Sequence, residues 1–140
     1  MEFIPEDISN YAEKHSTEEE NLLAELNRTT WTKVLQPRML SGHIQGRLLS
    51  MFSRMIKPSK ILEIGTYTGY SALCLAEGLA DDGELHTIDK NEELSYIMNS
   101  YFEKSRFNNK IKSHIGNALE IVPTLKENWD LVFIDADKEN

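Results

Sequence analysis

Apolar residues recur at helical spacing over residues 1–57 and then fall into short runs. Thr17 followed by Glu20 has the spacing of a capping box. Leu22, Leu23, Leu26, Trp31 and Val34 then line one face of a helix predicted to end before Pro37. Ser41 stands where it would cap the next helix. There Ile44, Leu48, Phe52 and Met55 form one stripe, expected to pack against another element, and Pro58 closes the segment.

Beyond Pro58 short apolar runs alternate with amphipathic stretches. The runs at 60–64, 85–89, 111–115 and 131–135 have the length of strands, and 70–79, 92–106 and 118–125 have the pattern of helices. Leu94, Ile97, Met98, Tyr101 and Phe102 give the middle helix a clean apolar face. Strand and helix in alternation mean βαβ units and a parallel sheet covered on both faces, so the fold class is α/β. The expected organisation is an N-terminal helical segment, 1–57, packed on a sheet-containing core, 58–140. Doubly wound sheets commonly have about five or more strands. The sequence stops shortly after its fourth predicted strand, so a truncated domain is expected; were the chain complete, a partner or self-association would be expected to cover the exposed edge.

Composition narrows the functional classes. With 140 residues the chain has room for one domain, and 40% hydrophobic against 27% charged residues supports a buried core. A net charge of -8 disfavours purely electrostatic binding to nucleic acid or to an anionic membrane. The single Cys74 excludes an internal disulfide and a multi-cysteine zinc site, and it fits a reducing, cytoplasmic compartment. No apolar run is long enough to span a bilayer, and the acidic start lacks the cationic region of a signal peptide.

The chemistry concentrates in Glu63-Ile64-Gly65-Thr66-Tyr67-Thr68-Gly69-Tyr70-Ser71. A strand enters, two glycines bracket a tight turn and a helix leaves, an arrangement that faces backbone N–H groups toward the crevice where open α/β sheets bind ligands. Asp89, at the end of the second strand, occupies the usual place of a carboxylate that accepts hydrogen bonds from ribose hydroxyls. A P-loop would need Gly-Lys followed by Ser or Thr, which is absent. A dinucleotide turn would need Gly-x-Gly-x-x-Gly, whereas Tyr67 holds the middle position here, and Glu63 would repel a pyrophosphate. A carboxylate at Glu63 suits a nucleoside with ammonium and sulfonium charges and no phosphate, the description of S-adenosylmethionine. The alternatives are a solvated strand-end carboxylate for Glu63 and a helix-capping carboxylate for Asp89.

Further segments join this pattern: Met39-Leu40-Ser41 with Gln45-Gly46, Gly116-Asn117-Ala118, and Phe133-Ile134-Asp135-Ala136-Asp137-Lys138. Together with the glycine turn they resemble the metal-dependent O-methyltransferases related to the catechol and caffeoyl-CoA enzymes, the bacterial branch most of all, from about residue 35 onward. The resemblance implies a Rossmann-like sheet in the order 3-2-1-4. It implies that Gly65 and Thr66 pass under the methionine moiety, that Ser71 and the Ser41 region bind its carboxylate beside Glu63, that Asp89 holds the ribose, and that Ala118 meets the adenine. Asp135 would face the cofactor amino group and be the first ligand of Mg²⁺ or Ca²⁺. Lys138 would be the general base, which requires a lowered pKa. The family often has Asp where this sequence has Asn117. The implied reaction is methylation of a small hydroxylated, catechol-like acceptor by a cytoplasmic homodimer.

Remaining metal ligands of the family would follow Asn140, so this length of chain alone is expected to give no appreciable turnover. Alternatives are a tRNA hydroxyuridine acceptor, disfavoured by the charge, an inactive cofactor-binding or dimerising fragment, and an NAD-dependent oxidoreductase, disfavoured by Tyr67 and Glu63. The histidines lack metal-ligand spacing, Cys74 reads as core packing, and Trp31 reads as packing rather than as a substrate contact.

Overall fold

The computed structural model describes residues 4–136. Four parallel strands, β1 (Lys60–Ile64), β2 (Glu84–Asp89), β3 (Ile111–Ile115) and β4 (Leu131–Ile134), form one sheet in the order β3-β2-β1-β4. Among the described residues six α-helices accompany it: α1 (Glu6–Lys14), α2 (Asn21–Lys33), α3 (Gly42–Ile56), α4 (Tyr70–Ala76), α5 (Ser95–Lys104) and α6 (Ala118–Leu125). The predicted strands and the 118–125 helix lie where the pattern placed them. The segment predicted as one helix from 92 divides into a 3-10 turn at Glu92–Leu94, capped by the Asn91 side chain, and α5.

In-register rows of side chains build the core. Ile61 pairs with Leu85 and Leu131, and Leu85 with Ile111; Ile61, Leu85 and Ile111 belong to the apolar cluster that includes α4 and the buried face of α5, and Leu131 packs against it. Each of the seven residues of α4 is buried, because α2, α3 and β2 all pack against it. A helix apolar on every side is the expected sequence for such a position.

Two local expectations are corrected. Thr17 does not cap α2: the chain is irregular from 17 to 20, Glu20 takes the N-cap position, and the Thr17 carbonyl instead accepts a hydrogen bond from His43 Nε2 at 2.6 Å. Ser41 does stand at the N-cap of α3, but its backbone is helical and its side chain makes no capping bond.

The stripe on α3 is also reversed relative to expectation. Ile44, Leu48, Phe52 and Met55 face outward, with Met55 74% exposed, whereas Gly46, Leu49, Ser50 and Ser53 face α4. The reason is close approach. A Cβ on Gly78 would lie 2.2 Å from the Ser53 backbone, and one on Gly46 would lie 2.7 Å from the Tyr70 ring. Small residues let the two backbones meet, and an apolar stripe of larger side chains cannot occupy that seam.

Candidate functional site

The carboxyl ends of the four strands are tied into one rim. Gly65 N–H donates to the Ile88 carbonyl at 2.9 Å, Gly116 N–H to the Asp89 carbonyl at 2.8 Å, and Asp135 N–H to the Ile64 carbonyl at 2.9 Å. The order β3-β2-β1-β4 reverses direction at β1, so this rim holds the topological switch point where open sheets bind ligands.

The glycine turn bends over the end of β1 in left-handed backbone. Gly65 has φ +105°, and a Cβ there would come within 2.9 Å of the Asp135 carbonyl. Gly69 has φ +94°, with the Phe102 ring 2.7 Å from the place of a Cβ. Tyr67 is left-handed as well, at φ 54°, a conformation uncommon for a residue with a side chain. Both ends of Tyr67 are anchored: its N–H donates to Asp89 Oδ2 at 2.7 Å and its hydroxyl to the Gln36 carbonyl at 2.6 Å. The turn is thereby fastened to β2 and to the segment leading into α3. Thr68 adds a link to α2 through Thr30 at 3.0 Å, and the Tyr70 hydroxyl donates to Glu19 at 2.5 Å.

Asp89 is half-buried, and each of its carboxylate oxygens accepts one backbone N–H, Oδ2 from Tyr67 and Oδ1 from Asn91 at 2.9 Å. Asn91, not Asp89, caps the following helical turn. A carboxylate oxygen has two acceptor positions, so Asp89 keeps capacity for a diol.

Glu63 is not a solvated carboxylate: its exposure is 0%. Ser71 Oγ donates to its Oε1 and Thr87 Oγ1 to its Oε2, both at 2.5 Å, and Thr87 lies 2.5 Å from Thr66 Oγ1. Burial pushes the Glu63 carboxyl up to about 7, against the two hydroxyl donors that favour its ionised form, and the charges of Asp135 and Asp89 push the same way as burial. A carboxyl raised in the fold contributes stability that is complete below its ordinary value near 4.5 and is lost as pH rises through about 7. Ionising it costs about 3 kcal/mol more in the folded protein than in the unfolded chain. In this arrangement the Ser71 hydroxyl proton is committed to Glu63 and is not turned toward the crevice.

Asp135 directly follows β4 and is exposed, and Ala118 opens α6 behind Asn117, whose side chain accepts from Leu119 N–H at 3.0 Å. Gly65, Thr66, Asp89, Asp135 and the 116–118 turn thus share the rim, with Glu63 and Ser71 directly beneath it. Ser41 lies at the start of α3, just after the segment that Tyr67 holds. Lys138 and Asp137 lie outside the described residues. Sequence reasoning missed Thr87 and the side-chain roles of Thr66, Thr68 and Tyr67. The available signal was weak: Thr87 is one of several polar residues of β2, and only the strand register sets it opposite Glu63.

The described residues include no group of three His, Cys, Asp or Glu side chains placed to hold a metal ion. Asp135 is one oxygen donor, and hard divalent cations take about six or more. The donor set for a nucleoside fits better: a turn closed to Cβ atoms, a free-capacity carboxylate in Asp89, and a buried acid with no cation beside it among the described residues.

A separate cavity of about 360 Å³ lies between α1, α2 and the start of α3, lined by Glu13, Glu19, Trp31, Arg38 and His43 among others. Trp31 is 56% exposed and forms part of that wall, which corrects its reading as a packing residue. Cys74 is buried in the core, where burial pushes its thiol up to about 12.

Comparison with known proteins agrees with this geometry. The O-methyltransferase family matches residues 13–140. Caffeoyl-CoA O-methyltransferase 2 of Petunia hybrida is 36% identical over 108 residues, covering 73% of this chain and 45% of its own length. Catechol O-methyltransferase of Mycobacterium tuberculosis is 33% identical over 105 residues, covering 74% and 48%. The chain therefore spans about half the length of these relatives. Among solved structures, the SAH-bound Podospora anserina methyltransferase superposes with a TM-score of 0.88 at 31% identity, over 99% of this chain and 62% of that one. The Bacillus cereus O-methyltransferase in complex with SAH does so with 0.88 at 29%, over 96% and 62%.

Proposed function

Because the chain belongs to the O-methyltransferase family, we propose that it contributes the cofactor-binding half of an S-adenosylmethionine-dependent O-methyltransferase acting on a small hydroxylated acceptor. The observation that carries the reading is the buried Glu63 beneath a glycine turn whose Tyr67 N–H is fixed by Asp89. A carboxylate in that place opposes a diphosphate and favours a cationic nucleoside. The SAH-bound Podospora anserina and Bacillus cereus proteins, and the Streptomyces achromogenes O-methyltransferase in complex with SAM, support the same cofactor.

S-adenosylmethionine supplies a methyl carbon already activated by its sulfonium sulfur, so the protein's contribution is alignment. In this reading Asp89 accepts the ribose hydroxyls, and Gly65, which has no Cβ, and Thr66 carry the chain beneath the methionine moiety. Ala118 meets the base through its backbone, and Ser41 and Ser71 border the amino-acid end. Asp135 faces the amino group. Lys138 takes the acceptor proton when its pKa is lowered. A divalent cation would find only Asp135 among the described residues, and no step here depends on one. Self-association into a dimer belongs to the reading as well, supported by the exposed apolar side chains of α3.

Calorimetric titration separates this function from nicotinamide chemistry. Saturable binding of S-adenosylhomocysteine with none of NAD is the expected result, and the reverse preference would overturn it.

A further inference from the structure

The network under the glycine turn has a property that the cofactor reading alone does not use. Apart from Glu63, its members are hydroxyls: Ser71, Thr87 and Thr66. A hydroxyl donates one hydrogen and accepts two, so each can reverse its role without leaving its place. With Glu63 ionised, Ser71 and Thr87 both donate inward, and Thr66 donates to Thr87. With Glu63 protonated, its O–H donates to Thr87, which turns its own hydrogen to Thr66, while Ser71 still donates to the other oxygen. Each charge state keeps three hydrogen bonds in the same heavy-atom positions.

The surroundings oppose the anion as long as no ligand is bound. Asp89 and Asp135 approach from the ends of β2 and β4, and neither is hydrogen-bonded to Glu63. From α4 the facing groups are Ser71 and the neutral thiol of Cys74. The nearest cation on α3, Arg47, is engaged by Glu77 at 2.6 Å. A buried carboxylate without a cation is strongly disfavoured, and a positive charge arriving in the crevice reverses that balance.

We infer that binding of the cationic cofactor expels one proton from Glu63, and that the Thr87 and Thr66 hydroxyls reorient, with Ser71 donating throughout, so that the carboxyl becomes the counter-charge with the same number of hydrogen bonds. The proton is lost from the Glu63 O–H to a buffer base in solvent, and no other bond changes. Glu63 is then a specificity residue for ligand charge, and Thr87 is a positioning residue that acts through it. This inference rests on the cofactor reading above.

Titration calorimetry of the protein with S-adenosylmethionine, in pairs of buffers of different ionisation enthalpy, counts the protons. The wild type is expected to release close to one proton more than E63Q at about pH 6, about half at pH 7 and little at pH 8 and above. Its affinity is expected to weaken up to about tenfold per unit below pH 7, a slope absent in E63Q. Thr87→Val removes one donor to the anion and should displace that slope to higher pH, which a purely structural role would not do. Should E63Q fail to fold, the labelled glutamate carboxyl resonances of the wild type give the same answer. One of them should titrate near 7 in the free protein, shift up in Thr87→Val, and stay in its ionised position in the complex. Saturable binding with equal proton counts in wild type and E63Q, or no carboxyl titrating above about 6 in the free protein, overturns the inference alone. Absence of saturable binding at every pH overturns the cofactor reading instead.

Discussion

Removing Arg47 tests how α3 is held against α4. Glu77, just past α4, has a side chain only 2% exposed. It accepts from Arg47 Nη1 at 3.1 Å and Nη2 at 2.6 Å, from Ser50 at 2.6 Å and from Arg54 at 3.0 Å. Burial alone would raise the Glu77 carboxyl, but the donors from Arg47, Ser50 and Arg54 outweigh it and hold it below its ordinary value. Breaking a buried ion pair by deleting one partner costs about 3–5 kcal/mol, because the other charge stays behind. Arg54 is 59% exposed and still reaches Glu77, so R47M should fall near the lower end, at about 3 kcal/mol. E77Q leaves the Arg47 guanidinium, 13% exposed, without its anion and should cost about as much. The double variant leaves neither charge stranded and should lose well under the sum, by about 2 kcal/mol or more. Urea unfolding of all four proteins at neutral pH measures the cycle. Single costs below about 1 kcal/mol, or costs that add to within about 0.5 kcal/mol, would refute the claim that this pair pins α3 to α4.

Three other outcomes follow from the geometry. Gly65→Ala forces a Cβ against the Asp135 carbonyl at φ +105° and should lower stability by about 1–3 kcal/mol, whereas Gly42→Ala, at φ +78° with open space around it, should cost only about 1 kcal/mol of backbone strain; urea midpoints compare the two. His86 and His114 lie 3.1 Å apart, and both titrate below their ordinary value, through burial in each case and, for His86, also the charge of His114. Their contribution is therefore present above pH 6.5 and lost as pH falls through their folded values, opposite in sign to that of Glu63. H114N should flatten the acid limb of a stability-against-pH curve below the ordinary value of 6.5, and an unchanged limb would contradict this. Asp89→Asn should weaken S-adenosylhomocysteine binding about ten- to a hundredfold by calorimetry, since hydrogen bonds to a charged acceptor are at stake.

Elements whose shape depends on one local period were legible in the sequence. The four runs that became β1 to β4 are short, each carries at least two apolar residues, and they are separated by polar turns and helices. Helix capping was less legible, because it depends on where the chain enters. Thr17 has the right spacing to Glu20, yet His43, 26 residues away, claims its carbonyl and leaves the segment irregular. The same reasoning explains α3, where two faces could have turned inward. Hydrophobicity selected the Ile44 stripe, but the choice was made by Gly46, Ser53 and Gly78, whose small size permits a contact that no single-helix pattern encodes.

At the site the division is sharper. Glu63 and Asp89 stood out because a charged residue at the end of an apolar strand is costly unless something requires it. What fixes their state was not visible, because it lies in pairs of residues from different strands. Thr87 is an ordinary β-forming residue until the register of β1 on β2 puts it opposite Glu63, and Thr66 is a turn residue until its hydroxyl meets Thr87. A buried acid with reversible hydroxyl partners is a different chemical object from a carboxylate open to water. It holds its charge in reserve, so the ligand that enters is selected by what it does to a proton and by the shape of the turn above it.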